Sequence, residues 1–346
     1  MHSRSAYCLA TLLILTVASG TSCPRAFQTV QPAPVTFATQ PTLADVMRVV
    51  NQNRALIQSV YSTRATLNGT GFPALKANLA IASPRHVRLR AGLGVGGSEL
   101  DLGSNNELFW IWIKRSEPRA LYFGHHDRFV TSAVGQMFPV QPEWLVEAIG
   151  LTGLDPAGRH QGPYRRADGS LEIRTLLATA QGDMGKTMVL DQTSGWILEQ
   201  HLLSPQGQLI ASAYNRNHQL DPASGGTLAR RTEMHWPSAN MKLTLELKDV
   251  QINPPQLGAE LWVKPEYPGY VNIDVTQPAG TAGRPAPASP LPRYAPPAGH
   301  GRNMGLPVAS PLQPAVSPVR YPARSASHPN YWPEPGRSGV LGHGSP

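Results

Sequence analysis

Residues 241–252 read MKLTLELKDVQI, in which Leu243, Leu245 and Leu247 alternate without exception with Lys242, Thr244, Glu246 and Lys248. Successive side chains of an extended strand point to opposite faces, so a period of two buries its apolar residues only as one row of a sheet. The same period recurs at short intervals. It runs through LKANLAIASPRHVRLRA (75–91), broken at Pro84, and returns in SELDL, LFWIWI, RALYFG, LEIRTLLATA, KTMVLD, GWILEQHLL, QLIASAY and TLARRTEMHW, with Gly, Pro, Asn and Asp between the runs. DQTSGWILEQ reads as a strand, a tight turn at Ser194–Gly195 and a second strand. Nine or ten short strands joined by tight turns predict a mainly β (α+β) chain built on a single large antiparallel sheet. Strand twist keeps so wide a sheet from lying flat, so it is expected to curl into a half-barrel.

One strand departs from alternation. Phe109–Ile113 is five consecutive large apolar residues, with Leu108, Trp110 and Trp112 on one side and Phe109, Ile111 and Ile113 on the other. Both faces must therefore be covered. Parity does not say which side is concave. The available covers are two helices. TLADVMRVVNQNRALIQSV starts with a cap at Thr42, places Asp45 in its first turn and carries Leu43, Val46, Val50, Ile57 and Val60 at helical spacing, which predicts a helix over 42–60. Its Asn51, Gln52, Asn53 and Arg54 read as a solvated side or a fray. A shorter helix is expected around QPEWLVEAIGL (141–151).

The ends differ from this middle. The first 22 residues combine Arg4, an apolar stretch of roughly a dozen residues and a small-residue segment, the pattern of a secretory signal. The only cysteines are Cys8 and Cys23, so the mature chain is expected to have no internal disulfide. TSC resembles the end of a bacterial lipobox, with Cys23 as the lipidated first residue; the competing reading cleaves after Gly20 and leaves a soluble protein with a free thiol. Residues 23–41 read as a Pro/Thr/Gln-rich linker, 42–265 as the folded domain and 266–346 as a Pro-rich disordered tail. From Thr276 onward that tail holds 16 prolines and six arginines against one acid. The formal net charge of +8 sits mostly there, because residues 41–275 carry 22 basic and 21 acidic groups. A neutral folded part argues against a nucleic-acid partner and leaves the basic tail for contact with cell wall or partner proteins.

The order of these words resembles the bacterial lipoprotein-localisation carriers LolA and LolB and their relatives over about residues 42–265. The resemblance is carried by the amphipathic helix, LAIASPRHVRLR with its basic-Pro turn, NNELFWIWI, the strand–turn–strand VLDQTSGWILEQ, and the closing LELKDVQINPP and ELWVKP. It implies an antiparallel half-barrel with helices lidding an apolar cavity, and acyl chains of lipids or lipoproteins as the ligand. Chemistry of other kinds is not signalled: there is no G-x-S-x-G, H-E-x-x-H, phosphate loop or C-x-x-C. No catalytic residue, metal or cofactor is expected. GHHDR, with His125, His126 and Asp127, reads as a polar turn, since adjacent strand residues cannot ligate one metal together. NGT at 68–70 matches a glycosylation acceptor and is given no weight beside a bacterial-type signal. The candidate ligand-lining residues are Phe109, Trp110, Ile111, Trp112, Trp196 and Trp262, each either lining or core, and the candidate headgroup residues are Arg88 and Arg90.

The expectation is thus a non-enzymatic lipoprotein of the envelope, periplasm-facing and anchored through Cys23 to the outer membrane, which binds a hydrophobic ligand. The alternative is an envelope scaffold with a filled core and an interacting tail. If Cys23 carries the anchor, Cys23→Ala moves the protein from the membrane to the soluble fraction, and a wild-type mature mass beginning at Thr21 would refute it.

Overall fold

The computed structural model describes residues 33–277 apart from 95, 130, 133–142 and 180–181; the signal segment, Cys23 and the tail beyond 277 lie outside the described residues. Helix α1 spans Leu43–Leu56 and opens with a capping box, in which the Thr42 hydroxyl accepts from the Asp45 N–H and the Asp45 carboxylate accepts from the Thr42 N–H. Val46 and Val50 form its buried stripe.

The helix ends earlier than its spacing predicts. Ile57 is the C-cap, and Val60 belongs to strand β1, Ser59–Gly69. Its buried residues are Val60, Ser62, Ala65 and Leu67, a period of two interrupted by a bulge between Ser62 and Ala65. That skipped residue hides the strand from a periodicity argument and lets Ile57 and Val60 read as helix.

The chain continues as β2 (Phe72–Ala82), β3 (His86–Gly92), β4 (Leu100–Ser104), β5 (Leu108–Ile113) and β6 (Ala120–His125). A single helical turn α2 (His126–Phe129) and a short helix α3 (Trp144–Ala148) lead into β7 (Arg159–Arg165), β8 (Leu171–Thr179), β9 (Gly182–Leu190) and β10 (Ile197–Leu203). Then come β11 (Leu209–Leu220), β12 (Thr227–Trp236), β13 (Met241–Ile252) and β14 (Val271–Asp274). All fourteen strands make one curled sheet in the order β14-β6-β5-β4-β3-β2-β1-β13-β12-β11-β10-β9-β8-β7. Every pairing is antiparallel except β14 beside β6. This is the half-barrel with covering helices that the resemblance implies. Besides β1, the strands β7 and β14 were not anticipated: β7 holds Gly162 and Pro163, and β14 lies in the expected tail.

The inner face carries the core. Leu67, Leu75, Leu79, Ile81, Val87, Leu202, Met234, Leu245 and Leu247 form one buried cluster with Trp144, Val146, Ile149 and Leu151 of the α3 segment. Alongside it, Val46 and Val50 of α1 pack on Leu171, Ile173, Met188, Leu190 and Ile197. Both helices are thus held by apolar burial, at about 25 cal/mol per Å² removed from water.

The outer face of β3–β6 is covered by residues 259–277. A 3₁₀ turn at Ala259–Trp262 leads into a strap that crosses β3 to β6 and ends as β14. Tyr267 stacks on Trp112 at 3.9 Å between ring centroids, and Tyr270 meets the same indole edge-on at 5.3 Å. Beneath it lies a buried ion pair. Arg88 Nη2 donates to Asp101 Oδ2 at 2.7 Å, Tyr267 OH donates to the same oxygen at 2.6 Å, and Arg88 Nη1 donates to Val263 O at 2.8 Å. The expected start of the tail at 266 is therefore wrong by about a dozen residues: aromatic stacking and hydrogen bonds to buried charges fix residues 266–277 to the domain.

This arrangement separates two truncations. A chain ending at Gln277 retains the thermal midpoint of the full chain, whereas one ending at Pro265 loses Tyr267 and uncovers Asp101 and Trp112, lowering the midpoint by several degrees in a scanning calorimeter. Arg88→Met costs on the order of 3–5 kcal/mol in denaturant titration, because it leaves Asp101 buried without its main counter-charge.

Candidate functional site

Between α1 and the strands β10–β12 the inner side opens into a cleft of about 330 Å³, at the small end of the range for ligand sites. Its walls include Val50, Leu56, Trp196, Ile197, His218 and Leu220, with Gln52, Asn53, Ser194 and Thr227 adding uncharged polar groups. Arg48 is the one formally charged residue among the lining side chains; it stands at the exposed rim beside Asp45, 3.4 Å away.

Local chemistry positions each wall. Trp196 follows the turn expected at Ser194–Gly195: Asp191 Oδ1 accepts from the N–H groups of Thr193 and Ser194 at 2.9 and 2.7 Å, and Gly195 adopts a φ of 73°, which favours glycine. Residues 34–37 lie across that turn. The N–H groups of Thr36 and Phe37 both donate to Thr193 O, at 2.8 and 3.0 Å, so the end of the predicted linker is pinned to the domain beside the cleft.

Helix α1 is clamped by the asparagines that its sequence assigned to a solvated side. Asn51 donates to Leu154 O and accepts from Leu154 N–H, both at 2.8 Å. Asn53 does the same with Thr227, donating to its carbonyl at 3.0 Å and accepting from its N–H at 2.7 Å. Arg54 donates to Ile57 O and Ser83 Oγ. An Asn-x-Asn pair on the polar side of an otherwise amphipathic helix was the available signal, and sequence pattern does not distinguish it from ordinary solvation.

The six candidate lining residues divide three ways. Trp196 lines the cleft, Phe109 and Ile111 lie on the inner face in β5 away from it, and Trp110, Trp112 and Trp262 are on the outer side. Phe109 packs edge-on against Phe129 at 5.6 Å, so α2 provides its cover. Trp110 and Trp112 are 1% and 5% exposed under the strap, and Trp262 leans on His86 with ring centroids 5.1 Å apart. These three are corrected from ligand lining to outer-face packing. Arg88 and Arg90 share that outer face, because cross-strand pairing aligns them with Gly103 and Asp101 and thence with Trp110 and Trp112. As headgroup residues they are therefore also set aside. Arg88 is consumed by Asp101, and Arg90 lies 3.4 Å from the same carboxylate.

The GHHDR residues fall in two elements: His125 ends β6 and His126 begins α2. The His126 ring fills a gap between elements, with Nε2 3.0 Å from Asn105 O and Nδ1 3.2 Å from the Glu143 carboxylate, which also pairs with Arg85 at 2.8 Å. Among the described residues no three His, Cys, Asp or Glu side chains converge as a metal site.

No protein-family model and no curated protein matches the sequence. Solved structures similar to this chain include an outer membrane lipoprotein-sorting domain from Vibrio parahaemolyticus, at 8% identity and a TM-score of 0.45 over 62% of this chain and 95% of that one. A LolA superfamily protein from Nitrosomonas europaea matches at 8% identity and a TM-score of 0.41, covering 63% of this chain and 97% of that one. A DUF1329 family protein from Desulfovibrio piger matches at 10% identity and a TM-score of 0.44, covering 64% and 98%. At these values the fold description stands on the strand order and packing given above.

The cleft is kept uncharged by His218. Its ring stacks on Trp196 at 5.1 Å, and its Nε2–H donates to Ile197 O at 3.0 Å. Burial pushes its pKa down to about 4, with the hydrogen bond to Ile197 O acting in the other direction, so it is neutral near pH 7. An unfolded histidine binds its proton near pH 6.5, so between about pH 6.5 and 4 the unfolded chain carries more protons and stability falls as pH falls. The loss is on the order of 3 kcal/mol across that window. Denaturant titrations at pH 7 and pH 4.5 will show a smaller difference in His218→Phe than in the wild type.

Proposed function

We propose that this chain is a non-enzymatic envelope protein whose half-barrel binds a hydrophobic ligand, the acyl chain of a lipid or lipoprotein, in the cleft between α1 and β10–β12. The observation that carries this reading is the cleft itself: apolar walls of Val50, Leu56, Ile197 and Leu220, an aromatic wall of Trp196 and neutral His218, and Arg48 only at the rim. Acyl chains need no charge at the floor of their site. Each inserted CH₂ contributes on the order of 0.8 kcal/mol, so about eight carbons gain roughly 6 kcal/mol before the cost of ordering. Export and anchoring through Cys23 to the outer membrane remain part of this proposal, as does contact of the basic tail with cell wall or partner proteins.

A second reading, the filled scaffold, has its own support. Trp144, Val146, Ile149 and Leu151 are buried in one cluster with the inner face, so α3 takes space that a carrier would use.

Binding separates the two. Detergent-free protein titrated with a fluorescent fatty acid saturates at one site under the first reading. Leu220→Asp, at a partly exposed wall position, then weakens binding at least about tenfold, or 1.4 kcal/mol, with the thermal midpoint little changed. A folded wild type that takes up no probe leaves the scaffold.

A further inference from the structure

A lysine on the inner face of an apolar half-barrel needs a reason. Lys186 lies on β9, and its side chain is 9% exposed. Its ammonium donates to Glu147 Oε2 at 2.6 Å and to Thr152 Oγ1 at 3.0 Å. Both partners come from the α3 segment and none from the sheet. Thr175 stands opposite Lys186 across the β8–β9 pair, also buried, with its hydroxyl 2.7 Å from His160 Nδ1.

Glu147 is the unusual member. Its carboxylate is 38% exposed while the ammonium it meets is almost wholly buried, so the acid reaches the cation from the solvent side. A second cation feels its charge without touching it. Arg54, half-buried at the end of α1, has its pKa lowered by burial, and the Glu147 charge offsets part of that loss. The Glu147 carboxylate thus pairs with one ammonium and acts at longer range on one guanidinium, and it belongs to a five-residue helix. That helix is further tied by Gln200, fully buried on β10, which donates to Glu147 O while its Oε1 has no partner among the described residues.

A carboxylate beside a buried ammonium and a threonine hydroxyl is what the head of an acidic amphiphile would present. Glu147 also stands two residues before Ile149, which with Gly150 lines the apolar cleft. We propose that Lys186 and Thr152 form the headgroup subsite for a single-chain anionic amphiphile, whose acidic group takes the place Glu147 now holds and whose chain runs into the cleft. This deepens the proposed function and rests on it. The cleft accounts for the chain, and Lys186 adds a preference for an anion over a neutral lipid. An acid exchanges one charge-assisted contact to the amine for another, whereas an ester makes none, so the acid is the one that is preferred.

The test compares three probes on the detergent-free full mature chain: a fluorescent polyene fatty acid, its methyl ester, and a monoacyl phosphate. The wild type is expected to bind the acid at least about tenfold more tightly than the ester. Lys186→Met removes that preference without weakening the ester, Lys186→Arg keeps it, and Glu147→Gln strengthens the acid severalfold by vacating the ammonium. The monoacyl phosphate distinguishes the source of the anion: tighter binding than the acid assigns the subsite to phospholipid heads, and weaker binding assigns it to free fatty acids. Equal binding of acid and ester by the wild type, or a preference that survives Lys186→Met, overturns the subsite while leaving the cleft. If no probe binds, the cleft reading falls with it.

Discussion

A β-sheet has two faces, and at β5 neither can be left to water. Phe109 and Ile111 on one side and Trp110 and Trp112 on the other are large apolar groups in register on a six-residue strand. The inner side is met by α2, and the outer side by a strap that returns from the far end of the chain. Covering the outer side buries Arg88 and Asp101, and buried charges persist only when paired and hydrogen-bonded. Tyr267 and the carbonyl of Val263 complete that requirement, and burial together with its bond to Asp101 raises the pKa of the Tyr267 phenol, so it stays a donor. The apolar strand and the ionic network beneath the strap are therefore one structural solution.

Much of the sheet was readable because half-buried strands declare themselves by period. β13 and β12 follow their alternation, and the turn before Trp196 was visible in SG after an aspartate. What escaped has specific causes. β1 carries a bulge that shifts its buried residues from 62 to 65, and its first apolar positions continue the spacing of α1. β14 is four residues long and follows Pro265 and Pro268, so composition assigned it to the tail. Register decided the face of Trp110 and Trp112, and register is a property of pairing that a single strand does not contain.

The site was less legible than the fold. Of the residues singled out as lining, Trp196 alone reaches the cleft, since a tryptophan signals burial and not what buries it. Asn51 and Asn53 were read as solvated, although they fix α1 to Leu154 and Thr227 through backbone groups that carry no sequence signature. Lys186 was passed over because one lysine in KTMVLD looks like any solvent-side strand residue. Its burial follows from the parity of β9 against Thr175 and Leu202.

The centre of the sheet is the pair β1–β13, with Val60 opposite Ile252 and Gly69 opposite Leu243. On one side β2 to β6 form a meander of near neighbours, and on the other β7 to β13 form a second. Each half can assemble from short loops, but their junction closes nearly the whole domain, and pairings of such sequence separation form slowly. Chain order puts β1 first among the strands and β13 close to the end of the domain, so the half-barrel cannot close until almost all of residues 59–252 are present. Until then β1, paired only with β2, presents a row of unsatisfied backbone donors and acceptors, and the hazard it poses is pairing with the edge of another chain.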